Sequence, residues 1–159
     1  MNIVKPTLLL NKARAIRNIE RMVNKAQKSG VRFRPHFKTH QSAQIGDWFR
    51  TRGVNTITVS SLDMAWYFAQ YGWRDITVAF PVNILEIDKI NTLASDIALH
   101  LVVESPHVVY FLEDHLFSGV KVNVWIKIDT GYKRTGILWS DFDTMVDLAR
   151  QITQTKCLT

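Results

Sequence analysis

Two hydrophobic periods alternate along the chain. From Lys12 onward, apolar residues return at Ile16, Ile19, Val23 and Ala26, the three- and four-residue spacing of an amphipathic helix. Ser29-Gly30 supplies its stop. Val31 to Pro35 reads as a strand, and a helical pattern through Ile45, Trp48 and Phe49 then runs to Gly53. The β-branched run Asn55 to Ser60 predicts a second strand. Leu62 to Gln70 predicts a helix, Asp75 to Phe80 a strand, and Ile84, Leu85, Ile87, Ile90 and Leu93 the next helix. A strand at Ala98 to Val103, a helix at Pro106 to Leu116, a strand at Lys121 to Asp129 and a helix at Asp141 to Ile152 complete the series.

Strands that alternate with helices at this spacing have to be parallel and joined by right-handed crossovers. The class is therefore α/β. Pattern alone leaves two architectures open: a five-stranded doubly wound sheet, or five consecutive units of an eight-stranded barrel.

Composition narrows the class of molecule without choosing between these. The 159 residues are 47% hydrophobic and 21% charged, as in an ordinary globular chain. No apolar run is long enough to span a bilayer, and Leu8-Leu9-Leu10 is too short and too soon followed by charge to be a secretory signal. A single cysteine, Cys157, excludes an internal disulfide and favours a reducing, cytoplasmic setting. Charge is uneven: residues 1–50 carry eleven lysines and arginines against Glu20 and Asp47, while the rest is slightly acidic. Such asymmetry admits a non-enzymatic basic binding module. However, Arg14, Arg17, Arg21, Lys25 and Lys28 lie opposite the apolar stripe of the first helix, where a solvated face explains them without nucleic acid or membrane.

The glycines exclude the common nucleotide loops. None of the seven forms G-x-G, and Gly131 to Gly136 has Ile137 and Leu138 where a P-loop needs Lys and Ser/Thr. Two clusters carry chemistry instead. Arg34-Pro-His36-Phe-Lys38-Thr-His40 follows the first strand, and Asp129-Thr-Gly-Tyr-Lys-Arg134-Thr-Gly136 follows the fifth. Carboxyl ends of parallel strands are where such folds collect ligands. If the first strand continues, Arg34, His36 and Lys38 share a face, and their mutual repulsion favours a neutral, nucleophilic amine at Lys38. The second cluster suits an anion or a polarised oxygen. Taken as bare residues, a surface lysine beside two loop histidines and an ordinary Gly-bounded turn remain open. His36 and His40 have no acidic neighbour in sequence and make a poor metal pair.

Together with Pro6-Thr7 before the first helix, the R-P-H-x-K-T-H segment (Arg34 to His40) and the D-x-G-x-x-R-x-G segment (Asp129 to Gly136) resemble the N-terminal part of the alanine-racemase-type barrel, the fold-type III enzymes dependent on pyridoxal 5′-phosphate. The first segment is most similar to the D-threonine aldolase and D-serine dehydratase branch. The resemblance implies a partial TIM (β/α)8 barrel of about five units, with residues 1–10 as an extended lead-in and 11–159 as the incomplete barrel domain. It implies Lys38 as the catalytic lysine that forms a Schiff base with the cofactor, Arg134 near the cofactor's phenolic oxygen, and His36 and His40 as nearby pocket residues. The implied chemistry is aldol cleavage of a D-threonine-like substrate or dehydration of a D-serine-like one. Alanine-racemase-like and cofactor-carrier activities are the alternatives. Asp63 falls where related sequences often carry Glu, and reads as first-turn helix stabilisation.

A complete barrel takes about 250 residues. The expectation is therefore a chain that ends on the approach to a sixth strand at Gln154 to Thr159 and leaves its first and fifth strands as open edges. It would be inactive alone. A second domain, any divalent metal site and a homodimer would belong to a longer form.

Overall fold

The computed structural model describes residues 3–159. Residues 3–11 carry no regular structure, and Leu8, Leu9 and Leu10 are exposed. Helix α1 (Lys12–Lys28) begins where the Asn11 side chain accepts the Arg14 N–H, and ends at Gly30, whose φ of 62° reverses the chain. Ile19 and Ala26 are its buried positions, and Arg14, Arg17, Arg21, Lys25 and Lys28 face solvent opposite them.

The remaining elements are α2 (Ala43–Arg50), β1 (Ile57–Val59), α3 (Leu62–Gln70), β2 (Asp75–Pro81), α4 (Ile87–Asp96), β3 (Ala98–Val103), α5 (Pro106–His115), β4 (Asn123–Ile126), β5 (Ile128–Asp129), β6 (Ile137–Leu138) and α6 (Phe142–Gln154). Strands β1 to β4 form one parallel sheet in chain order, with Ile57 opposite Ile76, Ile76 opposite Leu99, and Leu101 opposite Val124. Sequential order with helical crossovers is the barrel pattern, here unclosed. A doubly wound sheet would reverse strand order part-way.

Alternation along the strands separates two faces. Ile57, Val59, Ile76, Val78, Leu99, Leu101 and Val103 point one way and are buried with Phe68, Ile90, Leu93, Val109, Leu112 and Leu148 from the helices. The other face carries Thr58, Asp75, Thr77, His100 and Trp125. It is polar and partly open, so the strands are not apolar on both sides. Across it Arg34 Nη1 pairs with Asp75 at 2.6 Å, and His100 Nε2 lies 3.1 Å from the same carboxylate oxygen.

Two strands differ from the sequence expectation. Val31 to Pro35 builds no ladder. It runs beside β1 through the bond from Thr58 N–H to the Pro35 carbonyl (2.8 Å) and a bridge between His36 and Thr58. Pro35 has no N–H to donate, and the Arg34 side chain is taken up by Asp75 and the Ile57 carbonyl. The expected strand Lys121 to Asp129 divides at Lys127. Up to Ile126 it follows β3; beyond it, the carbonyls of Lys127 and Asp129 accept from Ile137 and Trp139, so β5 peels away to pair with β6. The sheet edges are also less open than expected. Pro35-His36 lies along β1, and Val122 and Val124 donate to the carbonyls of Cys157 and Thr159 along β4.

Candidate active site

Lys38 sits in a single 3-10 turn, Phe37–Thr39, rather than on a continuing strand. Phe37 fixes that turn. It is fully buried, with ring centroids 5.1 Å from Phe49, 5.0 Å from Phe68 and 5.2 Å from Trp73. With Phe37 held inward, the next residue turns outward, and Lys38 is exposed. His36 steadies the start of the turn by accepting the Lys38 backbone N–H on Nδ1 at 3.2 Å. Partial burial, then the Lys38 charge, hold the His36 imidazole below its usual pKa.

His40 closes the turn. Its Nδ1 accepts the Ser42 N–H (3.1 Å), its ring lies 4.4 Å from Phe37, and its Nε2 is buried with no hydrogen-bond partner among the described residues. Burial keeps this imidazole neutral to lower pH, against the smaller pull of the Ser42 bond. Arg34, expected on the Lys38 face, is instead committed to Asp75.

The second cluster forms the loop between β5 and β6. Buried Asp129 accepts the N–H groups of Gly131 (2.9 Å) and Lys133 (3.0 Å) on one carboxylate oxygen. Those bonds, Lys133 first, hold its carboxyl below the ordinary range. Lys133 adopts φ 56°, and Arg134 follows with its guanidinium 5.4 Å from the Tyr132 ring centroid.

The two clusters meet. Lys38, Lys127, Asp129, Tyr132 and Arg134 line one open cleft of about 430 Å³ at the carboxyl end of the sheet. Two neighbouring hollows lie at the ends of β2 and β3, one lined by Ser60, Phe80 and Asn83, the other by Val82, Glu104 and Thr135. His36 and His40 do not line the Lys38 cleft. Lys127 does, although the sequence reading passed over it. Its signal was strand alternation, because it shares a strand face with Asp129 two residues on.

The cleft's chemistry fits a phosphorylated aldehyde. Lys38, Lys127 and Arg134 bring three cations to it; among the described residues that line it Asp129 is the one carboxylate, and it is committed to backbone N–H groups. An exposed primary amine is available to a carbonyl carbon, and a permanent guanidinium to an anionic oxygen.

The alanine racemase N-terminal domain family matches residues 10–158, nearly the whole chain. The chain belongs to that family. Its enzymes depend on pyridoxal phosphate. The chain is 30% identical over 152 residues to the D-threo-3-hydroxyaspartate dehydratase of Delftia sp. (strain HT23), an alignment covering 92% of this chain and 39% of the relative. It is 29% identical to the D-serine dehydratase of Dictyostelium discoideum, covering 85% of this chain and 37% of that one. The crystal structure of D-threonine aldolase from Filomicrobium marinum superposes with a TM-score of 0.90 at 22% identity, over 97% of this chain and 42% of that one. This last likeness speaks for the fold. The chain thus spans about two fifths of the length of the relatives it matches. Among the described residues no helix is long and apolar enough to cross a membrane.

Proposed function

We propose that this chain is the lysine-bearing barrel portion of a pyridoxal-phosphate enzyme acting on a D-configured hydroxy amino acid. The reaction is dehydration of a D-serine-like substrate or aldol cleavage of a D-threonine-like one. One observation carries the reading: Lys38 and Arg134, distant in sequence, line the same cleft at the ligand-binding end of the sheet. The resemblance to two dehydratases supports the substrate class.

When bound, the cofactor supplies a ring that withdraws electrons from the substrate's α-carbon. The chain's residues supply its setting. Lys38 Nζ would hold the cofactor through its aldehyde carbon and would serve as the base for the substrate's α-proton. Arg134 would hold a fixed positive charge toward an anionic oxygen of the cofactor. Lys127 adds to the positive field that attracts a phosphorylated ligand. His36 orders the turn beneath Lys38 through its backbone bond, and His40 packs that turn against α2 and α3. Among the described residues no three His, Cys, Asp or Glu side chains gather as a metal site.

The test is covalent. Incubation with pyridoxal phosphate forms a carbon–nitrogen bond between the amine and the aldehyde carbon as water leaves, and borohydride delivers hydride to that carbon. Peptide mapping should find the label on Lys38, and Lys38→Ala should remove it. Label spread evenly over surface lysines, or concentrated elsewhere, would refute the assignment.

A further inference from the structure

We infer that Asp129 is the positioning residue for Arg134: its buried carboxylate gathers the 130–134 backbone into the one turn that aims the guanidinium at the Lys38 cleft. The inference rests on the function proposed above and adds a part to it.

Asp129 lines the cleft, so a direct chemical role has to be weighed first. Its environment argues against one. One carboxylate oxygen accepts both the Gly131 and the Lys133 N–H, and these bonds keep the group ionised well below neutrality. A carboxylate so held neither stores nor delivers a proton near pH 7. What it does is mechanical. The chain between Asp129 and Arg134 passes through Gly131 at φ 117° and Lys133 at φ 56°. Lysine adopts that left-handed region only at a cost, and the bond to the Lys133 N–H is what holds it there. Arg134 is the next residue, so the direction of its side chain follows from the Lys133 conformation. From behind, Gly136 closes the loop so tightly that a Cβ there would come within 2.9 Å of the Asp129 nitrogen. The loop is pinned at both ends, with Arg134 between the pins.

The experiment compares the wild-type chain with Asp129→Ala, Arg134→Ala and the double variant, following the rate of borohydride-trapped labelling of Lys38 at limiting pyridoxal phosphate. Asp129→Ala should slow labelling about tenfold, the scale of one lost charge-assisted contact. The double variant should be no slower than Arg134→Ala alone, because both changes remove one contribution. Wild-type labelling rates in Asp129→Ala, or losses that multiply in the double variant, overturn the inference while leaving the Lys38 assignment intact. Asp129→Asn, which keeps the shape and one oxygen, serves if the alanine variant fails to fold, with an intermediate loss expected. A second readout needs no cofactor. In NMR spectra of the unliganded chain, the Arg134 side chain should show a ring-current shift from Tyr132 that disappears in Asp129→Ala and weakens in Asp129→Asn. A shift that keeps its wild-type size in both variants overturns the inference even if Lys38 proves not to be the labelled residue.

Discussion

Phe37 contributes to the site without facing it. Its ring is enclosed by Phe49, Phe68, Trp73 and His40, and its backbone is the first residue of the turn that presents Lys38. Phe37→Ala should cost about 3–5 kcal/mol, as other buried aromatic truncations do. Urea unfolding followed by tryptophan fluorescence measures it, and a loss below about 1 kcal/mol would mean the cluster closes over the gap. At this scale the motifs singled out Lys38 and Arg134, and the structure brings both to one cleft. The sequence was not legible where geometry assigns the task. Lys127 looks like any lysine until β5 turns it into the cleft. Arg34 reads as part of the cationic cluster, but its partner Asp75 lies 41 residues away.

The β5–β6 loop shows how one element depends on backbone conformation. Gly136 takes φ 108°, and an added Cβ would also lie 3.1 Å from the Ile128 carbonyl carbon. Gly136→Ala should therefore destabilise the chain by roughly 1–3 kcal/mol, the usual cost of a strained backbone position. Hydrogen exchange checks this, because the Ile137 and Trp139 amides that pair with β5 should lose protection first. Unchanged exchange there would show that the loop yields without strain. Elements with a clean period and clear punctuation matched the sequence reading, as at α3 (Leu62–Gln70) and β3 (Ala98–Val103). Asp63 does fall in the first turn of α3, and its carboxylate also pairs with Lys89 across to α4. Val31 to Pro35 was misread because its apolar content resembles a strand, whereas ladder formation depends on N–H groups free to pair. Proline and a neighbouring ion pair decide that question, and hydrophobic period does not register either.

For the molecule as a whole, three histidines share one electrostatic condition. Burial is the largest cause holding His36, His40 and His100 below their usual value of 6.5. For His100 the nearby Asp75 pulls the other way, and Arg34 and Arg32 add to the depression. Because the unfolded chain binds these protons more readily, stability should be highest above pH 6.5. It should fall as pH drops through 6.5 toward the folded-state values. Asp129 gives a separate loss at lower pH, as its carboxylate finally protonates below 3.8. Urea midpoints measured between pH 8 and pH 5 test the histidine part, and a flat profile would refute it. The uneven charge also resolves at this scale. The basic residues of α1 project from its solvent face, opposite Ile19 and Ala26, as an amphipathic surface helix requires.

The amino-acid order by itself determined the alternation of helix and strand, hence the α/β class and parallel pairing, because side-chain period and turn residues act over a few positions. Its two motifs pointed to the family, and to Lys38 and Arg134 as the residues proposed to carry its chemistry. Only the tertiary structure decided that strands join in sequential order, that β5 leaves the sheet at Lys127, and that Lys38 and Arg134 share a cleft while His36 and His40 sit behind it. Those outcomes depend on backbone hydrogen bonds and ion pairs between distant segments, and no local pattern encodes which distant group will be the partner.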